Sequence, residues 1–393
     1  MKILLVNNHH CKVGGAETVY FNTIDLLLDY GHYVITLSRK NENTIKTKAK
    51  EYFFDYSNSF SERFYSSNAK KAIQEIINAE KPDVVHLHNI VGGITFSILP
   101  ILKEARIPII MTIHDFRILC PAGLFLNSKN NICEKCGNGN YFHCIINNCS
   151  RQGFVGSIGA SVETYFRNKL LSLNNYCDHL VFVSNFSKNK FIEYYKNLKV
   201  ASTVINNPVT IARSKKKRGS YFLFVGRLAQ EKGVITLLKT FASLPQLELR
   251  IVGDGPLLEY CKEVATSNIK FLGYLSGNEL ATEIHNAFFS VVPSECYETL
   301  SLSAVESLCA SKPIIATNIG ALKEVVNNKL NGFLFDPKSI QQLTKILNHC
   351  NSLSDEEYFS MCENAYLSSH KYEKNIYYEK IYSVYKTILG KYN

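Results

Sequence analysis

Apolar runs that read as buried strands alternate with helical patterns along almost the whole chain, and this alternation limits the possible fold more than any other feature. The first series starts with KILLVNN and TVYFNTIDLLLDYG and continues through PDVVHLHN to CDHLVFVSN. Strands that alternate with helices predict βαβ units, parallel sheets and right-handed crossovers. The pattern restarts at YFLFVGR, and 393 residues are too many for one compact core. We therefore expect two tandem, doubly wound α/β domains.

The domain boundaries follow from this restart. The first domain is predicted over residues 1–206 and the second over residues 207–372, with a closing helix over residues 373–393. A cysteine-rich insertion at about residues 119–150 interrupts the first domain. Doubly wound sheets bind ligands outside the carboxyl ends of their strands. Two such domains that face each other therefore predict an active site in the cleft between them.

The charge balance is basic, with a net charge of +10. Such an excess suits nucleic acid, an anionic membrane surface or anionic small substrates. No nucleic-acid-binding motif surrounds the basic runs, so no nucleic-acid partner is expected. The run RSKKKR (Arg213 to Arg218) fits a solvated linker or a membrane contact. No apolar run reaches the roughly 18 residues of a membrane span, and the first strand is too short for a signal peptide. A cytoplasmic location is expected, with peripheral contact at the inner face of the membrane left open.

Two glycine-containing stretches follow strands of the second series. In FVGRLAQEKGV, Gly226 ends a strand and allows a ligand to approach the backbone closely. Arg227 and Lys232 place a guanidinium fork and a point cation at the same strand end, which suits a diphosphate. A surface salt bridge is the structural alternative for either cation alone. The GDGP turn (Gly253 to Pro256) is expected to line the same site.

The stretch SECYETLSLSAVESL carries two glutamates eight residues apart. A helix is predicted from Leu302 to Ala310, with Ser301 or Thr299 as its N-cap. The free N–H groups and the positive dipole end of this helix would stabilise an anion. Glu298 precedes the helix and Glu306 lies within it, so both could accept hydrogen bonds from sugar hydroxyls on either side of a diphosphate. Taken alone, this spacing could also arise by chance.

With these motifs in this order, the sequence resembles a retaining glycosyltransferase of family 4, with the GT-B fold of two facing Rossmann-like domains. The resemblance covers nearly the whole chain and is carried by VGRLAQEKG, IVGDGP and VPSECYETLSLSAVESLCASKPIIAT. It implies transfer of a sugar, with retention, from a nucleotide-diphosphate sugar to a glycan or lipid-linked acceptor in bacterial surface polysaccharide synthesis. It also implies that no catalytic metal is needed, because cationic groups replace the divalent ion.

The resemblance also implies roles for individual residues. Arg227 and Lys232 would contact the donor diphosphate and stabilise the charge that develops on it. Glu298 would hold the transferred sugar, and Glu306 the ribose hydroxyls. The other donor positions are the backbone of Leu300, Ser301 and Leu302 at the phosphate, Tyr274 and Leu275 near the base, and Gly14 and Gly15 in the first domain. Leu300 and Ser301 stand where the family usually has Phe-Gly, so the backbone path is expected to differ at Ser301.

Three histidines lie at strand ends of the first series. His114, in the sequence IHD, matches the family's active-site histidine, and Asp115 follows it. His86 and His88, in VVHLHN, occupy the neighbouring strand end. We expect an acceptor-side or a structural role for these two.

Cysteines crowd the insertion. Cys133, Cys136, Cys144 and Cys149 have the spacing C-x2-C-x7-C-x4-C, and Cys120 precedes them. A structural zinc would stabilise a loop with so few apolar residues. Reduced thiols and a redox-labile pair remain open alternatives. By resemblance the insertion belongs to the acceptor side and is not catalytic.

Three other readings compete with a glycosyltransferase. A nucleotide-sugar epimerase could use the same fold, but that activity leaves the two glutamates unexplained. A zinc-stabilised binding module would use its basic face on polyanions, and its binding would depend steeply on salt. A phosphorylase of the pyridoxal type is disfavoured because nothing marks a cofactor lysine.

Overall fold

The computed structural model describes residues 1–57, 59–195, 197–214 and 217–392. Two compact units divide the chain. Unit 1 comprises Met1–Pro208 together with the chain from Lys374 onward, and unit 2 comprises Val209–Glu373. The chain therefore passes from unit 1 to unit 2 after Pro208, two residues beyond the predicted boundary, and returns to unit 1 at Lys374.

Unit 1 is built on a parallel sheet that has seven strands in the described residues, in the order β3-β2-β1-β4-β5-β6-β7. Buried strands such as KILLV and VVHL are apolar nearly throughout because helices cover both faces of a parallel sheet. The strands are β1 (Lys2–Val6), β2 (Tyr33–Arg39), β3 (Lys50–Phe54), β4 (Val84–Leu87), β5 (Ile109–Ile113), β6 (His179–Phe182) and β7 (Ala201–Val204).

Several helices of unit 1 begin at a serine that caps them. Ser66 accepts a hydrogen bond from Ala69 at the start of α3, and Ser184 forms a capping box with Ser187 at the start of α8. The helices are α1 (Gly15–Asp29), α2 (Phe60–Phe64), α3 (Ser67–Glu80), α4 (Leu99–Glu104), α5 (Phe142–Ile146), α6 (Gly153–Leu170), α7 (Leu173–Tyr176) and α8 (Asn185–Tyr194).

Unit 2 repeats this architecture with a parallel sheet of six strands in the described residues, in the order β10-β9-β8-β11-β12-β13. Its strands are β8 (Phe222–Val225), β9 (Leu249–Val252), β10 (Ile269–Gly273), β11 (Phe289–Val292), β12 (Ile314–Thr317) and β13 (Gly332–Phe335). Its helices are α9 (Val234–Ala242), α10 (Leu258–Val264), α11 (Gly277–Asn286), α12 (Leu302–Cys309), α13 (Leu322–Val325), α14 (Ile340–Ser352) and α15 (Asp355–Ser369).

Each sheet has one point at which the strand order reverses. This switch point lies between β1 and β4 in unit 1 and between β8 and β11 in unit 2. Loops that leave a switch point run in opposite directions and open a crevice at the carboxyl ends of the strands. Both units thus offer a ligand-binding edge of the kind that the alternating pattern predicts.

The predicted terminal helix is α16 (Lys374–Tyr392), and it packs in unit 1. The buried Tyr385 hydroxyl lies 2.8 Å from Nδ1 of His86 in β4, and the Tyr377 hydroxyl lies 3.0 Å from Oγ1 of Thr23 in α1. Ile381 and Ile388 are buried in the same apolar cluster as β1 residues. The last helix therefore completes the core that the first strand begins.

Replacing Tyr385 by Phe tests this packing. The substitution leaves Nδ1 of a fully buried histidine without its partner, which should lower the free energy of unfolding of unit 1 by about 1–3 kcal/mol. The control is Thr387→Ala, which removes an exposed hydroxyl that bonds only to its own helix, at Ser383. Chemical denaturation measures the free energy of unfolding of both variants. Equal losses in the two variants would contradict a stabilising contact between Tyr385 and His86.

Candidate functional site

Motifs that are far apart in the sequence meet at the carboxyl edge of the unit 2 sheet. Gly226 follows β8, Gly253 follows β9, Tyr274 follows β10, and the stretch from Ser294 to Glu298 follows β11. Since these four strands are neighbours in the sheet, their loops lie side by side. The three motifs that the sequence analysis assigns to one site therefore lie along one continuous edge of the sheet.

The two glycine motifs are packed backbone to backbone. Gly253 has φ +136, and a Cβ there would lie 2.0 Å from the carbonyl oxygen of Gly226. A Cβ on Gly255 would lie 2.5 Å from the carbonyl oxygen of Leu228. Only glycine fits at these two positions, because a side chain would meet backbone that cannot move aside. The GDGP turn thus holds the chain around Arg227 in place.

Lys232 and Glu298 form an ion pair, with Nζ 2.6 Å from Oε1. The Ser294 hydroxyl donates to the same oxygen at 2.7 Å. Burial alone would raise the pKa of Glu298, but the charge and hydrogen bond of Lys232 and the hydroxyl of Ser294 hold that pKa below its usual value. Burial opposes the charge of Lys232 as well, yet Glu298 raises the lysine pKa. Both groups are therefore ionised at neutral pH.

Two glycines with positive φ bring this pair together. Gly233 has φ +71 and lies so close to β11 that a Cβ would be 1.9 Å from the carbonyl oxygen of Pro293. Gly320 has φ +58 beside the backbone of Glu298, whose carbonyl accepts from the N–H of Ala321 at 3.1 Å. Side chains at either position would push the loops apart.

Helix α12 begins at the residue that the sequence predicts. Ser301 is its N-cap, with φ −79 and ψ 111, so this backbone does not require glycine. The Ser301 hydroxyl makes no capping hydrogen bond and instead lies 3.2 Å from the hydroxyl of Ser303. The first N–H groups of α12 are thus left without a side-chain cap from Ser301, at the positive end of the helix dipole.

Glu306 lies inside α12 and behaves differently from Glu298. Burial raises its pKa to about 7. One segment therefore carries an ionised glutamate that is paired with lysine and a second glutamate that is poised to titrate near neutral pH.

The remaining predicted donor residues differ in exposure. Arg227 is exposed at the end of β8, and Tyr274 is 65% exposed at the end of β10. Leu275 packs against an apolar cluster that includes Val252. Leu300 is buried. The two side chains with most freedom to meet a ligand are thus Arg227 and Tyr274.

In unit 1, the three predicted histidines form a column across β4 and β5. His88 and His114 are stacked with ring centroids 5.2 Å apart, and Nδ1 of His88 lies 3.0 Å from Nε2 of His114. His86 lies below them, with Nε2 2.7 Å from the Thr112 hydroxyl. Burial lowers the pKa of His114 to about 4 and that of His86 to about 3. His114 is therefore a neutral imidazole at physiological pH.

Charged residues that the sequence analysis did not single out stand near this column. Arg39 ends β2 and donates to His9, with Nη2 2.8 Å from Nε2. Burial, reinforced by Arg39 and Arg117, lowers the pKa of His9 to about 4. Glu17 is buried, and burial raises its pKa, although Arg117 opposes the shift. Arg39 is the last residue of β2, and Arg117 lies four residues after β5. A position at the carboxyl end of a predicted strand is the sequence signal that could have identified both.

The predicted glycine loop of unit 1 is geometrically ordinary. Gly14 is the N-cap of α1 with φ −169, which is extended backbone that any residue adopts. A Cβ at this position would lie 3.6 Å from Oε2 of Glu17, an ordinary contact. Gly15 is the first residue of α1. A role for either glycine in close approach to a ligand stays a prediction.

The cysteines of the insertion lie close together as free thiols. Cys136 and Cys144 are buried around Tyr141, and Cys149 packs against them. A hydrogen bond with Cys149 lowers the pKa of Cys144 to about 7, and the same bond raises the pKa of Cys149. Cys133 lies 4.0 Å from the amide nitrogen of Asn147. Within the described residues, no three His, Cys, Asp or Glu side chains are arranged to hold a metal ion, so zinc stays a prediction.

Comparison with known proteins places both units in one family. The model of Glycosyltransferase Family 4 matches residues 13–213, just over half of the chain, and the model of Glycosyl transferases group 1 matches residues 210–367. An uncharacterised glycosyltransferase of Methanocaldococcus jannaschii is 28% identical over 366 residues, which cover 90% of this chain and 89% of that protein. A 42.6 kDa protein of the cps region of Klebsiella pneumoniae is 25% identical over 83% of this chain and 87% of its own length.

Solved structures show the same fold at low identity. Sucrose-phosphate synthase of Thermosynechococcus elongatus has a TM-score of 0.76 at 15% identity, with 99% of both chains covered. Anabaena HepE in complex with UDP-glucose has a TM-score of 0.70 at 18% identity, covering 98% of this chain and all of that one (100%). The predicted GT-B arrangement of two doubly wound α/β domains is thereby confirmed, and the transferase reading prevails over the epimerase, phosphorylase and binding-module readings. The chain belongs to the family 4, group 1 glycosyltransferases.

Proposed function

We propose that this enzyme transfers a sugar from a nucleotide-diphosphate sugar to a glycan or lipid-linked acceptor, with retention of configuration, in the synthesis of a bacterial surface polysaccharide. The observation that carries the proposal is the Lys232–Glu298 ion pair at the switch point of unit 2, beside the N-terminus of α12. The complex of the structurally similar Anabaena HepE with UDP-glucose supports a nucleotide-sugar donor. The cps-region relative supports a role in surface polysaccharide.

The diphosphate of the donor would meet the cations and the helix end. Breaking the bond between sugar and phosphate builds negative charge on the leaving diphosphate, and groups that are already oriented stabilise it most. Lys232 is held by Glu298, and the N–H groups at the start of α12 are fixed by the helix. Arg227 is exposed and can fold onto the second phosphate as a bidentate donor. No catalytic metal is needed in this scheme.

The two glutamates would hold the two sugars of the donor. Glu298 is ionised and aligned by Lys232 and Ser294, so its second oxygen can accept from hydroxyls of the transferred sugar. Glu306 would accept from the ribose hydroxyls. Since donation to a carboxylate favours its charged form, nucleotide binding should lower the raised pKa of Glu306.

His114 of unit 1 would contact the transferred sugar or the incoming acceptor as a neutral hydrogen-bonding group. Its low pKa excludes a permanent positive charge at pH 7, so the imidazole can donate through one nitrogen and accept through the other. The proton of the acceptor hydroxyl would pass to the leaving phosphate during front-face attack.

Arg227→Ala should weaken binding of the correct nucleoside diphosphate by about 10–100-fold, because a charge-assisted bidentate contact is lost. Calorimetric titration with UDP, GDP, dTDP and CMP measures the affinity for each nucleotide and identifies the base of the donor. Lys239→Ala is the control, since it removes an exposed cation of the same unit from α9. Binding of none of the four nucleotides by the unaltered protein would refute the donor site.

Glu306→Gln should stabilise the ligand-free protein at pH 8 and have no effect at pH 4. The folded pKa of Glu306 is about 7, above its usual value of 4.5. Below pH 4.5 the carboxyl is mostly neutral in both folded and unfolded states, and above pH 7 its ionisation costs the folded state about 3 kcal/mol. Thermal unfolding at the two pH values measures the difference, and a gain that is equal at both would contradict the burial of this carboxyl.

The same glutamate should also link nucleotide binding to proton release. At pH 7 the unaltered protein should release more protons than Glu306→Gln when each binds the nucleotide, because the terminal phosphate of the nucleotide contributes to both. Calorimetry in two buffers with different ionisation enthalpies detects this. Identical proton release by both proteins would place the ribose elsewhere.

His114→Ala should lower turnover by about 100-fold and leave nucleotide affinity unchanged, because positioned hydrogen-bonding groups act on the chemical step. The measurement is release of nucleoside diphosphate from the donor that the titration identifies. His179→Ala serves as control. His179 is the first residue of β6, so it lies at the amino ends of the strands, whereas His114 follows the carboxyl end of β5. Equal losses in both variants would point to a general effect on unit 1.

A further inference from the structure

Unit 2 contains a cavity of about 650 Å³ that is separate from the candidate site. It is lined by residues of α15, of the turn between α12 and β12, and of the segment that precedes β8. That turn leads into β12 and that segment into β8, so the cavity lies at the amino ends of the strands, whereas Lys232 and Glu298 lie at the carboxyl ends. Helix α12, roughly 12 Å long, runs from one edge of the sheet to the other.

Lys312 brings a buried cation to this cavity. Its side chain is only 1% exposed. Within the described residues its ammonium has no carboxylate partner, and its one hydrogen bond, to the carbonyl oxygen of Lys217, is long at 3.4 Å. Burial lowers the pKa of this lysine. A buried ammonium is costly unless an anion or several hydrogen bonds compensate for it, so Lys312 strongly favours an anion that enters the cavity.

The carboxyl end of α12 holds Lys312 in this position. The N–H groups of Ser311 and Lys312 donate to the carbonyls of Leu308 and Ser307, at 2.9 and 2.8 Å, which is the pattern of a Schellman motif. The negative end of the helix dipole favours a cation here. It does not satisfy the three N–H donors of an ammonium, and these remain available to a ligand.

Ser311 places a hydroxyl next to this lysine. It is 6% exposed, and its Oγ makes no hydrogen bond with any described residue. A buried hydroxyl without a partner lowers stability. Ser311 also has φ 58, a left-handed conformation in which glycine is the usual residue. Packing and backbone conformation alone would therefore favour glycine, whereas the hydroxyl provides a donor to a ligand in the cavity.

Two more cations line the cavity from the segment before β8. Arg213 pairs with Glu363 of α15 and lies 4.1 Å from the ring centroid of Tyr366. Lys217 is exposed at the same wall. Together with Lys312 these make three cations against two carboxylates, Glu356 and Glu363, and Arg213 already neutralises Glu363. The lining is therefore net positive.

The same two cations belong to the run RSKKKR, for which the sequence analysis expects a solvated linker or a membrane contact. A third member of the run, Arg218, bonds to Asp355 of α15 at 2.8 Å. Positions 215 and 216 of the run lie outside the described residues. In the described part of the chain, no helix is long and apolar enough to cross a bilayer. A membrane contact of this run stays a prediction.

We propose that the cavity binds a small phosphate monoester of a polyol, with the phosphoryl group held by Lys312 and Ser311. Ammonium and hydroxyl donors that converge from several directions suit the three oxygens of a phosphoryl group, whereas a carboxylate offers two oxygens in one plane. Free phosphate would fill only a small part of the cavity. Glu356 and Phe359 line the wall formed by α15 and suit the hydroxyls and the carbon chain of a polyol.

The proposal does not rest on the proposed function, because the cavity lies at the other edge of the sheet from the candidate site. Calorimetric titration of the full chain in a phosphate-free buffer tests it. The probes are inorganic phosphate, glycerol 3-phosphate and ribose 5-phosphate. The unaltered protein should bind at least one of the two esters, and more tightly than inorganic phosphate.

Lys312→Met should weaken binding of that ester at least about tenfold, because methionine fills the space of the lysine side chain without its ammonium. The melting temperature should not fall, since a buried charge is removed. The control is Lys345→Ala, which removes an exposed cation of α14 outside the cavity. It should leave the affinity unchanged.

Ser311→Gly keeps the proposal testable if Lys312→Met does not fold. Glycine adopts the left-handed conformation without strain, so this variant should melt no lower than the unaltered protein. Its affinity for the ester should fall about threefold or more, because the hydroxyl donor is lost.

A crossed comparison separates the cavity from the candidate site. Arg227→Ala should leave the affinity for the ester unchanged, and Lys312→Met should leave the affinity for the nucleotide unchanged. Loss of ester binding in Arg227→Ala but not in Lys312→Met would overturn the proposal in favour of binding at the candidate site. Ester binding that Lys312→Met retains together with a lower melting temperature would leave Lys312 with a structural role alone.

The panel of probes decides the chemistry of the ligand. Equal affinity for inorganic phosphate and both esters would overturn the monoester in favour of free phosphate. Binding of none of the three probes by the unaltered protein would refute the site, whatever the result with nucleotides.

Discussion

Parallel pairing of β8 with β9 on one side and β11 on the other is the constraint on which the candidate site of unit 2 depends. It brings the ends of three strands to one edge, although the residues after them are separated by up to about seventy positions in the sequence. The loops can approach one another only because Gly253, Gly255 and Gly233 lie against backbone with which a Cβ would collide. Sheet order and glycine packing together place Lys232 against Glu298.

The ion pair then sets the electrostatics of that edge. Two charges that burial would neutralise remain ionised because each supplies the other's counter-charge. Glu306 lies in α12, the helix that follows Glu298, and burial raises the pKa of its carboxyl to about 7. The two glutamates of this segment thus differ in charge near neutral pH because their surroundings differ.

Unit 1 has the same sheet architecture but different side chains at its switch point. Its switch-point edge carries a stack of buried, neutral histidines, joined to α16 through Tyr385, with Arg39 and Arg117 beside it. The terminal helix therefore supports the histidine column that includes His114.

The sequence by itself determined the class of fold, because apolar strand runs and helical patterns alternate in two successive series. It also identified the strand ends near Arg227, Lys232, Glu298 and His114, and the helix that contains Glu306. It could not predict that Lys232 and Glu298, to which separate ligand roles were assigned, contact each other, since that contact needs the order of β8 and β11 in the sheet. Nor could it show that Ser301 adopts an ordinary φ. In GFVGSIGASVETYF the apolar spacing alone would predict a core-facing stripe. Only the tertiary structure decided that this stripe is exposed, because Ser161 and Arg167 find their hydrogen-bond partners on the inner side.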